Sequence, residues 1–224
     1  MRLSIIIPVL NEAKILVHTL PPLSRGDYEI IVVDGGSHDE TPLIAGKYTP
    51  HVIESKRGRG KQQHEGALRA GGDGLLFVHA DTFLPKDFNR IIGKTLSDPT
   101  IVLGAFYLKI HPPSKALNIV AFGANLRAFV FRLPYGDQAL FMRRSDYYRV
   151  GGFKDIPVME DVDLVRRLNR IGRLKLIKQS VSTSSRRWDK EGALYATLRN
   201  WSLVIRYLLG VSPHRLHRFY SDSR

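Results

Sequence analysis

The sequence predicts an α/β protein: a mostly parallel, twisted sheet with helices on both faces, a Rossmann-like first half, and further helices towards the C-terminal end. Three observations predict it. Largely apolar runs recur at 3–9, 28–33 and 75–79, the first continuous and rich in Ile and Val, in the way of strands buried on both faces. Helix-forming segments separate them, the βαβ pattern of a parallel sheet. An acidic residue follows each of these runs (Glu12, Asp34, Asp81), where open α/β sheets bind ligands.

Each element follows in order. Residues 3–9 form the first strand, ending at Pro8-Val9. Asn11 and Glu12 open a helix expected to stop near Leu20, because Pro21-Pro22 follow and proline withholds an amide hydrogen. The second strand covers 28–33; Asp34-Gly35-Gly36-Ser37 then turns the chain, and Asp39 or Thr41 caps a short helix. Residues 51–55 read as a shorter strand. After Arg57-Gly58-Arg59-Gly60 comes a helix to Ala70, closed by Gly71-Gly72. The fourth strand, 75–79, leads into Ala80-Asp81. Beyond it the pattern predicts helices at 87–96, 116–131, 160–171 and 192–209, and strands at 101–110, 139–142, 174–177 and 181–183. The basic tail is expected to be loose.

Lys and Arg number 34 against 21 Asp and Glu, a net charge of +13 that favours anionic partners. Hydrophobic residues at 43% support a real core and exclude a disordered chain. The absence of cysteine excludes disulfides, thiolate metal sites and cysteine nucleophiles, and fits a reducing cytosol. The first residues lack a signal-peptide pattern, and no run is long and apolar enough to cross a bilayer. A cytoplasmic place is expected, with a peripheral position at the inner face of the membrane as its variant. Two stripes bear on that variant: 116–133, interrupted by Asn118, Asn125, Arg127 and Arg132, and the row Tyr195, Leu198, Trp201, Ile205, Leu208. Both read first as core-facing; a membrane interface is the second reading.

Several short constellations carry chemistry. Asp81, at the mouth of a buried strand, could bind Mg²⁺ or Mn²⁺, hard cations that take few protein carboxylates and fill their shell with phosphate oxygens and water. The alternative is a capping Asp before Thr82. Asp34 could accept from a base N–H or a ribose hydroxyl, its glycines letting the backbone approach, or it could belong to an ordinary turn. Lys56-Arg57-Gly58-Arg59-Gly60-Lys61 suits a diphosphate at a helix N-terminus, or is a solvated loop; it lacks the Walker spacing. Glu160-Asp161 could supply a general base, or simply favour a helix start. Arg186-Arg187-Trp188 joins two cations to a flat ring that could stack on a sugar or pin a phosphate.

The order of these pieces is more specific than any one of them. Ile5-Ile6-Ile7-Pro8-Val9-Leu10-Asn11-Glu12, Val32-Val33-Asp34-Gly35-Gly36-Ser37-His38-Asp39-Glu40-Thr41, Phe77-Val78-His79-Ala80-Asp81-Thr82, Glu160-Asp161 and Arg187-Trp188 together resemble the family 2 glycosyltransferases over nearly the whole chain. The chain is most similar to a small bacterial subgroup with Gly58-Arg59-Gly60, Gly136-Asp137-Gln138 and Arg186-Arg187-Trp188. The resemblance implies a GT-A-type fold over 1–224, with 1–110 binding a nucleotide sugar, often a uridine diphosphate sugar, and 111–224 carrying acceptor and catalytic groups. It implies a divalent metal, Mg²⁺ or Mn²⁺, and inversion at the anomeric carbon. Pro8, Asn11, Glu12 and Asp34 would line the nucleoside site, with Gly36, Ser37, His79 and Ala80 also on the donor. Arg59 and Lys61 would lie near ribose or diphosphate. Asp81 would be the metal carboxylate and Asp161 the general base, with Glu160 beside it. Gly136, Asp137 and Gln138 would orient acceptor or donor sugar, and Arg187 and Trp188 would flank diphosphate and acceptor.

Two departures matter. The family's Asp-x-Asp reads His79-Ala80-Asp81, one carboxylate fewer, and Gln-x-x-Arg-Trp reads Ser184-Ser185-Arg186-Arg187-Trp188, without the Gln. Together with the lack of membrane spans, this favours transfer of a single sugar to a hydroxyl on a lipid, glycan or small molecule over processive synthesis. A nucleotidyltransferase would carry a glycine-rich basic loop after the first strand, and a dinucleotide dehydrogenase Gly-x-Gly-x-x-Gly; Pro8-Val9-Leu10-Asn11-Glu12 stands there instead. A non-enzymatic basic protein binding nucleic acid or a membrane surface would explain the charge and leave the strand-end acids unexplained, so nucleic acid is not an expected partner.

Overall fold

The protein, described by a computed structural model, is defined over residues 1–219, apart from the side chains of Arg187 and Leu194. Its first half alternates β1 (Leu3–Val9), α1 (Ala13–Leu23), β2 (Glu29–Asp34), α2 (Thr41–Gly46), β3 (Val52–Glu54), α3 (Arg59–Arg69) and β4 (Gly74–Phe77). Then come β5 (Thr82–Phe83), α4 (Phe88–Leu96), β6 (Ile101–His111), α5 (Lys115–Val130), a 3₁₀ turn (Gly136–Gln138) and β7 (Phe141–Arg143). The chain finishes with α6 (Arg144–Arg149), α7 (Glu160–Leu168), β8 (Arg173–Ser184), α8 (Arg186–Glu191), α9 (Ala193–Leu208) and α10 (Pro213–His217).

One sheet holds the strands in the order β3-β2-β1-β4-β7-β6-β8-β5. β1 lies parallel to β2 and β4, β2 to β3, and β6 to β8; β7 runs antiparallel to β4 and β6, and β5 to β8. β1 shows why a parallel sheet forms. Its alternate residues serve two cores: Leu3, Ile5, Ile7 and Val9 pack with Leu16 and Leu20 of α1, while Ile6 packs with Ala67 of α3. Both faces are therefore apolar and both are covered by helices, α1, α2, α4 and α5 on one side and α3, α6 and α7 on the other.

Several boundaries differ from the expectation. α1 runs on through Pro21-Pro22 to Leu23. The prolines fall in its last turn, where few amide bonds are lost, and burial of Leu20 and Leu23 holds that turn in place. The strand-like pieces 174–177 and 181–183 are one strand, β8, whose pairing slips opposite Phe106 and Tyr107, so the polar Lys178-Gln179 pair sits in an irregularity. The tail forms α10: Ser212 accepts from the Arg215 amide, and Leu216 is buried against Val158 and Leu203. The short elements β5, α6 and α8 carry too few residues to show a period.

The largest correction concerns the two apolar stripes. α5 turns Leu117, Ala121, Ala124 and Ala128 inwards and leaves Ile119, Phe122, Leu126 and Phe129 exposed. α9 buries Ala196, Leu203 and Val204 and exposes Tyr195, Leu198, Trp201, Ile205 and Leu208. The core-facing reading fails for both stripes: Leu117 and three alanines take the inner face of α5, Ala196, Leu203 and Val204 that of α9, and the bulky side chains are left on the outer faces. Among the described residues no helix is long and apolar enough to cross a membrane.

Candidate active site

A cleft of about 900 Å³ opens at the carboxyl ends of β1 and β4. Pro8, Asn11 and Glu12 enter it from β1, Arg57 and Arg59 from the start of α3, and His79, Ala80 and Asp81 from the end of β4. Asp137 of the 3₁₀ turn, Glu160 and Asp161 of α7, and Trp188 of α8 complete the opposite side, with Asn200, Val204, His214 and His217 on the outer wall.

The floor is tied by a residue buried between two strands. Gln62 of α3 is 1% exposed, and its amide nitrogen donates to the carbonyls of Val9 and Val33, 2.8 Å each. It thereby joins the ends of β1 and β2, the two strands that lead into Asn11-Glu12 and Asp34. Asp34 closes its own turn: it accepts from the Gly36 and Ser37 amides at 3.1 and 2.9 Å and from the Ser37 hydroxyl. Ser37 Oγ in turn accepts from the Asn11 amide at 2.8 Å, and Asn11 Oδ1 accepts from the His38 amide at 2.9 Å. The two strand-end loops thus hold each other.

α7 begins with Met159 in the left-handed region, φ 69°, and its first turn carries Glu160, Asp161 and Asp163. Asp161 Oδ2 accepts from the Gly136 amide at 2.8 Å. A side chain at Gly136 would reach 3.0 Å from His79 Nε2 and 3.5 Å from Asp161 Oδ2, so glycine lets this backbone lie against both. Glu160 is 4% exposed and pairs with Arg59 at 3.7 Å. The two helix starts meet so closely that a Cβ at Gly60 would stand 2.6 Å from the Lys154 carbonyl and 3.0 Å from Glu160 Cβ. Tyr135 lines the same side. Burial lifts its phenol to about 12; Arg127, stacked 3.3 Å over the ring, opposes the rise, and Asp161 and Asp137 add to it. The phenol therefore stays protonated and can donate to a ligand oxygen.

Arg186 spans the cleft mouth. Its Nη2 lies 2.9 Å from Glu12 Oε2 and 3.4 Å from Asp81 Oδ2, and Asp81 Oδ1 accepts from Thr183 Oγ1 at 3.3 Å. Burial works against the guanidinium charge, but the bond to Glu12 and the attraction of both carboxylates outweigh it and raise the Arg186 pKa. One cation thus bridges two carboxylates that stand 69 residues apart in the chain.

Comparison with known proteins shows the family and the fold. The model of glycosyl transferase family 2 matches residues 4–148, more than half of the chain. The chain belongs to glycosyltransferase family 2. Among its relatives are the PGL/p-HBAD biosynthesis glycosyltransferases of Mycobacterium tuberculosis and Mycobacterium bovis, 31% identical over 170 residues, 67% of this chain and 62% of theirs. The chain thus spans about three fifths of the length of these relatives. The solved mannosyltransferase PcManGT of Pyrobaculum calidifontis, in complex with GDP-Man and Mn²⁺, superposes with a TM-score of 0.72 at 19% identity, over 99% of this chain and 70% of that one. Staphylococcus aureus TarS, in complex with UDP-GlcNAc, does so with a TM-score of 0.65 at 19% identity, over 82% and 58%. The family fold, GT-A, is the fold the sequence predicts.

The residues expected from the family pattern do not all reach the cleft. Pro8, Asn11, Glu12, Arg59, His79, Ala80, Asp81, Asp137, Glu160, Asp161 and Trp188 come together around the cleft. Asp34, Gly36 and Ser37 stand one layer back, engaged in their own turn. Lys61 points to Asp155 at 3.4 Å, on the rim. Gly136 acts through its amide on Asp161. Gln138 is wholly buried, donating to the Phe106 carbonyl at 3.1 Å and accepting from Arg127, which places it in the support of the 3₁₀ turn. The Arg187 side chain lies outside the described residues. Sequence reasoning missed Gln62, Tyr135 and the bridging place of Arg186; only the last had a signal, as the extra cation beside Arg187-Trp188.

Proposed function

We propose that the chain binds a nucleoside diphosphate sugar in this cleft and transfers the sugar, with inversion, to a hydroxyl acceptor. The observation that carries this reading is convergence: the carboxylates of Glu12, Asp81, Asp137 and Asp161, from four separate segments, face one cleft together with Arg57, Arg59 and Arg186. In the proposed step Asp161 takes the proton of the acceptor hydroxyl, whose oxygen bonds to the anomeric carbon as the bond from that carbon to the diphosphate breaks. The nucleoside diphosphate leaves with the electron pair. The Gly136 amide fixes the Oδ2 of Asp161, so the base is oriented before the acceptor arrives. The Tyr135 phenol donates to a sugar or acceptor oxygen, and Arg59 at the N-terminus of α3 faces the diphosphate.

The divalent metal that the family implies fits here in one mode only. Among the described residues no three His, Asp or Glu side chains stand close enough to form an all-protein metal site. Mg²⁺ or Mn²⁺ needs only one or two carboxylates when phosphate oxygens supply the rest. Asp81 would be that carboxylate, and Arg186 would give up its contact with Oδ2. When bound, the ion would neutralise charge growing on the departing diphosphate. The GDP-Man and Mn²⁺ complex of PcManGT supports this reading by fold likeness.

The test is a thermal-shift panel of nucleotide sugars with and without Mn²⁺, followed by turnover with the best binder. Asp161→Asn keeps an acceptor for the Gly136 amide and loses the base. Donor binding should persist, and kcat should fall by about 10² to 10⁴. Undiminished turnover in Asp161→Asn would defeat the base assignment.

A further inference from the structure

We propose that the outer faces of α5 and α9 form a docking surface for an anionic phospholipid membrane. On α5, Lys115, Ile119, Phe122, Leu126 and Phe129 are spaced 4, 3, 4 and 3 apart, which is one face of a helix. Ile119 is 71% exposed, Phe122 67%, Phe129 69%, and Phe131 just past the helix end 68%. The opposite face is built of Leu117, Ala121, Ala124 and Ala128. This distribution inverts that of an ordinary surface helix, which buries its phenylalanines and turns small or polar residues to water. α9 packs beside α5 and repeats the pattern with Leu198, Trp201, Ile205 and Leu208, exposed at spacings of 3, 4 and 3. Phenylalanines and a tryptophan exposed in rows on touching helices form more than the scattered apolar surface of a monomer.

Charge selects the occupant. No Asp or Glu stands between Asp98 and Asp137, or between Glu191 and Phe219, so neither helix carries an acid within it. Lys115, Arg132, Arg206 and Arg215 are exposed on or beside the two helices. A second copy laid face to face would set these cations against themselves, since a twofold contact pairs a patch with itself. Acidic lipid headgroups meet them with the opposite sign while the acyl boundary accepts the aromatic and aliphatic side chains. α9 also contributes Asn200 and Val204 to the cleft wall, so a membrane on its outer face lies beside the cleft.

Docking does not depend on the transfer reading, and the experiment keeps them apart. The chain is floated with phosphatidylcholine–phosphatidylglycerol vesicles and with phosphatidylcholine vesicles alone. Binding is expected to the mixed vesicles, weaker binding to the neutral ones, and loss as salt is raised. Phe122→Ser with Phe129→Ser should reduce partition roughly tenfold or more while leaving the melting temperature and nucleotide-sugar thermal shift at the parent's values, because both rings already face water. Lys115→Glu with Arg206→Glu should weaken binding to the mixed vesicles only. The proposal is overturned by any of three results: no flotation with the mixed vesicles at low salt, equal flotation of parent and Phe122→Ser/Phe129→Ser, or a dimer in sedimentation velocity that the same double variant dissolves. The last would assign the face to a second copy.

Discussion

Gln62 is the residue on which the shape of the cleft floor rests most directly. Gln62→Leu keeps the side-chain volume close and removes both donors at once. The two lost bonds, each 2.8 Å and buried, are worth about 1 kcal/mol apiece, roughly 2 kcal/mol together, because the Val9 carbonyl keeps the Gly35 amide at 2.9 Å and Val33 stays in the β1–β2 ladder. For a domain of this size about 2–4 °C of melting temperature accompanies each kcal/mol, so a fall of roughly 4–8 °C is expected. Gln62→Glu should cost more, since it turns a buried carboxylate towards two carbonyl oxygens. Thermal unfolding of both variants, with nucleotide-sugar binding measured alongside, checks this. Because Gln62 joins the strands that lead into Glu12 and Asp34, affinity should fall with stability. A Gln62→Leu protein melting within about 2 °C of the parent would refute the tie between the two strand ends.

Three further outcomes follow from the same geometry. Arg186→Ala should strip Glu12 and Asp81 of their shared cation, so donor affinity without a divalent ion should drop about tenfold, and much less at saturating Mn²⁺; equal losses in both conditions, by calorimetry, would contradict the bridging role. Gly60→Ala should force α3 from α7 by driving a methyl onto the Lys154 carbonyl, costing about 1–3 kcal/mol and displacing Arg59; unchanged melting and donor binding would count against that close contact. For Asp163, burial lifts the carboxyl, but Arg167 and Lys154 outweigh it and hold the pKa below its ordinary value. A lowered folded pKa stabilises above the unfolded value near ~4 and is lost as pH falls through the folded one. Asp163→Asn should therefore be less stable near neutrality, with the gap narrowing below about pH 4; a gap that widens in acid would reverse the sign.

Much of the architecture was legible because it rests on period and punctuation. β1 and β2 are largely apolar runs; β1 leads into Asn11-Glu12 and β2 into the Asp34-Gly35-Gly36-Ser37 turn, so strand and turn are marked locally. Asp81 and Asp161 each had an ordinary reading, as a capping acid and as a helix-start acid, and the order of motifs that resembles the family singled them out. Gln138 was misleading. A glutamine beside Asp137 looks available, and only the fold shows the Phe106 carbonyl and Arg127 closing on it. The stripes of α5 and α9 misled in the same way: helical spacing tells that one face is apolar, and says nothing about which face the rest of the molecule covers.

The amino-acid order by itself determined the alternation of buried strands and helices, the loops at the strand ends and the family pattern, because each depends on spacing along the chain. Tertiary structure alone decided that Arg186 would bridge Glu12 and Asp81, that Gln62 would splint β1 to β2, and that phenylalanines of α5 would face outwards. Those facts depend on which surfaces meet when distant segments pack, and hydrogen bonds and burial between such segments have no period for a sequence to display.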